Sequence, residues 1–98
     1  MYHNVYIVIK YSEEILKILK KGQLPKEVFL LFHNAFLSID LTKDLNLFDI
    51  KSLKEDSKSL RKYFRIRKGK YRSIFYIENE DIYIIAIDKR EEVYKKWQ

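Results

Sequence analysis

Tyr63-Phe64-Arg65-Ile66-Arg67-Lys68-Gly69-Lys70-Tyr71-Arg72-Ser73-Ile74-Phe75-Tyr76 is the stretch that decides the fold. Alternating apolar and charged residues on either side of a Gly-Lys pair predict antiparallel strands over residues 62–68 and 71–78, joined by a tight turn. A polar turn at Asn79-Glu80-Asp81 leads into a third strand over residues 82–87, so the C-terminal half reads as a meander. Upstream, between residues 41 and 61, polar residues such as Asp44, Asn46, Asp49, Ser52 and Ser57 break any period and predict a long connection. A helix opening at Pro25 carries Val28, Leu31, Phe32, Ala35, Phe36 and Ile39 on one stripe. Before it, Ser12 offers an N-cap, Glu13 and Glu14 suit the first turn, Ile15, Leu16, Ile18 and Leu19 recur at helical spacing, and Gly22 ends a shorter helix. Residues 2–11, rich in Val, Ile and Tyr, predict the opening strand.

The order β-α-α-β-β-β describes an α+β domain spanning residues 1–98, with a helical hairpin packed on a four-stranded, mainly antiparallel sheet. The far face of that sheet is expected to be largely open. Phe29, Leu30 and Leu37 fall off the apolar stripe of the second helix, which is therefore either sandwiched or covered by a partner.

A chain of 98 residues builds one small core. At this size folding buries only about 60–65% of the unfolded surface, so chemistry belongs on an open face rather than in a deep cavity. The absence of cysteine excludes disulfides, thiolate nucleophiles and cysteine zinc sites, and His3 and His33 stand too far apart to suggest a metal centre. Both histidines are read as structural, and no cofactor or metal is expected. The first residues lack a basic leader, a cleavage site and a spanning segment, and a cytoplasmic protein without membrane contact is the expectation.

The net charge of +6 is unevenly placed. Residues 1–50 balance six lysines against six acids, while the second half carries 14 basic and 8 acidic residues. Such a basic half points to a polyanion or an acidic protein, or to a well-solvated surface. Residues two apart on a strand share a face, so Arg65 and Arg67 project together, and hairpin pairing brings Arg72 beside them. Arg90 closes the last strand and Tyr94 follows four residues later. Guanidiniums converging on one face repel unless an anion sits among them, and phosphate suits the arginine fork; the other reading is of scattered surface charges. Lys54, Lys62, Lys68 and Lys70 add candidate contacts to such a polyanion, RNA once the resemblance below is taken up, with Tyr76 a candidate stacking residue and Tyr71 read as packing.

The run from Tyr63 to Tyr76, together with Ile84-Ile85-Ala86-Ile87-Asp88-Lys89-Arg90-Glu91-Glu92-Val93-Tyr94, resembles the signature of the RelE/ParE superfamily of toxins from type II toxin–antitoxin systems. Leu24-Pro25-Lys26-Glu27-Val28 at the helical bend and Ile50-Lys51-Ser52-Leu53-Lys54 before the meander sit where that family has them. The resemblance implies a RelE-like mRNA interferase, an endoribonuclease that cleaves messenger RNA in the ribosomal A site and is neutralised by a cognate RelB-like antitoxin. Carried over by position, it gives Arg65, Arg67, Arg72, Arg90 and Tyr94 the catalytic roles, in a metal-independent attack of the ribose 2′-hydroxyl on the adjacent phosphodiester. The general base is left open, since arginine at 65 and 67, where relatives can carry lysine, is a poor proton acceptor. Two further readings stand beside it: a ParE-like toxin acting on DNA gyrase without nuclease activity, and a non-catalytic RNA- or ribosome-binding module.

Overall fold

The computed structural model describes residues 8–53 and 61–89. In chain order the elements are β1 (Ile9–Tyr11), α1 (Glu13–Lys20), α2 (Lys26–Thr42), β2 (Ile50–Ser52), β3 (Tyr63–Lys68), β4 (Tyr71–Glu78) and β5 (Asp81–Lys89). The class is α+β, with two helices on one face of a mixed sheet, but the sheet has five strands, in the order β1-β5-β4-β3-β2. The extra strand, β2, lies inside the stretch expected to be connection. It is only three residues long and exists by pairing antiparallel with β3, Ile50 opposite Ile66 and Lys51 opposite Arg65. β1 joins the other edge, parallel to β5.

Local chemistry explains the boundaries. Ser12 caps α1 by accepting from the Ile15 amide at 3.3 Å, and its own amide donates to the Ile84 carbonyl at 2.9 Å, tying the helix start to the sheet. Pro25 stands at the N-cap of α2, so the helix proper begins one residue later than expected, at Lys26. The β4–β5 hairpin turns through Asn79 and Glu80, both left-handed at φ 52° and 69°, as a two-residue turn of the I′ kind requires.

Helix-facing residues Ile66, Phe75, Ile82, Ile84 and Ile87 meet Ile15, Leu24, Phe32, Ala35, Phe36 and Ile39 in one core. Phe36 and Phe75 pack edge to face at 5.2 Å. Positions 82, 84 and 87 break strict alternation, and a bulge between Ile74 and Phe75 of β4 and their partners Ala86 and Ile84 of β5 absorbs the odd residue. Leu31, expected on the buried stripe, is 53% exposed instead. It lies about 100° around the helix from Phe32, beyond the arc that the sheet covers. His33 is structural in its surroundings: its Nδ1 is hydrogen-bonded to the Tyr11 hydroxyl at 2.8 Å and its ring stacks on Phe29. His3 lies outside the described residues.

Candidate functional site

Register places Arg65, Arg67, Arg72 and Tyr76 on the face of the sheet that points away from the helices. Across β3 and β4, Arg67 stands directly opposite Arg72, Arg65 opposite Ile74, and Tyr63 opposite Tyr76. β5 continues these rows with Asp88 beside Arg72, Ala86 beside Ile74 and Tyr83 beside Tyr76. Direct partners on adjacent strands project to the same side, so Arg65, Arg67, Arg72 and Tyr76 do share one face.

The centre of that face is covered rather than open. Arg65 is 5% exposed, Arg72 3% and Ile74 1%, in contrast to the expectation of a bare surface. Ile74 is flanked by Arg65 on one strand and Ala86 on the other, which closes its sides.

Asp49, an acid without a motif around it in the sequence, belongs to this cluster. It precedes β2, and its carbonyl accepts from the Arg67 amide at 3.0 Å, which extends the β2–β3 pairing by one step. Its carboxylate contacts both neighbouring guanidiniums, Arg65 Nη2 at 3.4 Å and Arg67 Nε at 2.5 Å. Buried Arg65 thus meets a carboxylate, the condition under which a buried cation is tolerable. Lys51, directly opposite Arg65 and exposed, adds another positive charge that the reading of residues alone did not single out.

Arg72 differs from its neighbours. Its side chain is buried, it has no ion-pair partner among the described residues, and its Nε has no hydrogen-bond partner. Asp88, its neighbour across the β4–β5 pair, has a carboxylate oxygen that accepts instead from the Lys89 amide at 2.8 Å. A buried guanidinium with an unmet donor, next to a second guanidinium, is the kind of exception to polar satisfaction that marks an anion site.

The remaining candidates are spread apart. Lys62 sits 5.6 Å from the Phe64 ring and Lys68 4.7 Å from the Phe48 ring, both on the helix side of the β3 alternation and away from the arginine face. Lys70 is exposed in the turn after Gly69. Arg90, Tyr94 and Lys54 lie outside the described residues. No three His, Asp or Glu side chains gather as metal ligands, and no helix is long and apolar enough to cross a membrane, both among the described residues.

Solved structures share this fold. A chain of the RelB–RelE antitoxin–toxin complex from Methanococcus jannaschii superposes with a TM-score of 0.66 at 22% identity, covering 91% of this chain and 99% of its own. A chain of the archaeal RelE–RelB complex from Pyrococcus horikoshii OT3 gives 0.60 at 24% identity, covering 86% and 94%. No protein-family model and no curated protein matches the sequence.

Proposed function

We propose that this chain, which has the fold found in those RelB–RelE complexes, is a RelE-like toxin: an endoribonuclease that cuts messenger RNA in the ribosomal A site and is neutralised by a RelB-like antitoxin. The observation that carries the reading is Arg72, a buried guanidinium with an unpaired Nε, directly opposite Arg67, whose side chain is 51% exposed. A phosphodiester arriving at this pair relieves the repulsion between the two cations and is the anion their forked donors fit.

Chemistry follows from the division of labour among the residues. The 2′-oxygen attacks phosphorus and the bond to the 5′-oxygen breaks, which leaves a 2′,3′-cyclic phosphate and a 5′-hydroxyl that takes its proton from water. Arg67 and Arg72 stabilise the charge that builds on the non-bridging oxygens, and a donor of this kind is worth roughly 3–4 kcal/mol in the transition state. Asp49 supplies the missing proton acceptor. In the free chain both guanidiniums hold it. Once Arg67 moves onto the phosphate, one carboxylate oxygen is released beside the reacting hydroxyl. Buried Arg65 is left to orient Asp49 rather than to touch substrate. The resemblance adds Arg90 and Tyr94, which lie outside the described residues, to the proposed set, with Tyr94 orienting the nucleophile or stacking on a base.

Incubation with ribosomes stalled on a defined message, followed by mapping of new RNA ends, tests the proposal. Cuts confined to the A-site codon with cyclic phosphate ends support it. Intact message in the presence of folded protein overturns it and makes gyrase supercoiling the next assay.

A further inference from the structure

Beyond the arginines, the same face carries a second row that the cleavage chemistry does not use. Tyr63, Tyr76 and Tyr83 follow one another across β3, β4 and β5. Tyr63 meets Tyr76 edge on at 5.7 Å, and Tyr76 stacks on Tyr83 at 4.8 Å with planes only 6° apart. A cation lies over each of the two stacked rings, Tyr76 and Tyr83. The Arg61 guanidinium lies 4.1 Å from the centre of the Tyr76 ring, and the Lys10 ammonium lies 5.2 Å from that of Tyr83.

The two cations differ in how easily they leave their rings. Arg61 is close to its ring and also paired with Glu78 at 3.3 Å. Lys10 is an exposed lysine on β1, the edge strand of the described sheet, and holds its ring from farther away. An exposed cation–π contact is worth roughly a two- to fivefold preference. A nucleobase on an aromatic ring is worth roughly five- to 150-fold. The base therefore wins the ring face, and the ammonium it displaces stays close enough to take the phosphate of the same nucleotide.

We infer that the β1-facing side of Tyr83, with Lys10 as its movable cover, is a seat for an unpaired RNA base a few nucleotides away from the scissile phosphate. The inference rests on the nuclease reading for the identity of the strand. Tyr83 pairs with Tyr76, four residues along β4 from Arg72, which sets the seat roughly 13 Å from the cleavage centre at strand rise. Stacking of this kind tolerates any base, so the seat adds grip on the message without choosing its sequence.

Binding of a short, unstructured oligoribonucleotide, 2′-O-methylated to prevent cleavage, is measured by fluorescence anisotropy over a salt series. Tyr83→Leu is expected to weaken binding roughly tenfold at every salt concentration without changing the slope, whereas Tyr83→Phe retains wild-type affinity. Lys10→Gln lowers the salt slope by about one phosphate contact. An abasic oligomer of equal length and charge, which needs no variant, is expected to bind the wild type roughly tenfold more weakly than the base-bearing strand. Equal binding by Tyr83→Leu and wild type, equal binding of the abasic oligomer, or no binding by the wild type overturns the seat. Binding that depends on Tyr83, together with intact ribosomal message, keeps the seat and sinks the nuclease reading. Cleavage with binding indifferent to Tyr83 does the reverse.

Discussion

Arg67 and Arg72 are direct cross-strand partners on β3 and β4, and among the described residues only Arg67 has a carboxylate against it. Two like charges facing each other on a sheet destabilise the pair. The folded state therefore carries a cost at this point that an apolar residue would not impose.

Arg72→Met should accordingly raise stability by about 1–2 kcal/mol, because replacing a buried unpaired cation with an apolar residue of similar length removes both the desolvation cost and the repulsion. The same variant should lose cleavage. The denaturant midpoint, with an unchanged slope, checks the first half of the prediction. A lower midpoint would mean that Arg72 is satisfied in the fold and is no reserve for an anion.

Asp49→Asn separates binding from chemistry. Loss of the carboxylate leaves Arg65 buried without its counter-ion, and since Asp49 is 36% exposed the stability loss should be modest, about 1–2 kcal/mol. RNA binding should tighten because Arg67 no longer has a competing anion, while the cleavage rate falls because the proton acceptor is gone. Faster cleavage alongside tighter binding would reduce Asp49 to a counter-ion.

Glu80 takes a left-handed conformation, φ 69°, that costs a residue with a Cβ. Glu80→Gly, which completes the Asn-Gly pair that such turns favour, should stabilise the hairpin by about 1 kcal/mol, read from thermal melts.

Alkaline pH should act through Tyr11. Burial raises the pKa of its hydroxyl above the ordinary value of 10, so the folded chain holds a proton that the unfolded chain gives up. A raised pKa contributes stability that is complete below about pH 10 and is lost as pH climbs past it. Denaturant midpoints measured between about pH 9 and pH 11 should fall more steeply for the wild type than for Tyr11→Phe. Parallel curves would place the alkaline loss elsewhere.

How much of this was legible in the sequence follows from the range of the forces involved. The β3–β4 hairpin was readable because alternation over residues 63–76 and a turn glycine are local signals, and the pairing of Arg67 with Arg72 follows from that hairpin alone. Strand β2 was not readable. Ile50-Lys51-Ser52 has no pattern of its own and becomes a strand only against β3. Asp49 was hidden for the same reason, since it reaches its arginines through a pairing that spans 16 residues of chain between Asp49 and Arg65. Leu31 was misread because helical periodicity gives the direction of the apolar arc but not its width, which the sheet sets. The placement of Lys62 and Lys68 on the helix side was available from the alternation itself, since both share parity with Phe64 and Ile66.

The most direct test of the central claim compares wild type with Arg72→Ala on ribosomes holding a defined message, with RNA ends mapped at nucleotide resolution. The wild type should cut in the A-site codon, and the variant should lose roughly 10²- to 10³-fold in rate while it still folds. Equal cutting by both proteins would contradict the assignment of Arg72, and intact message with both would contradict the nuclease itself.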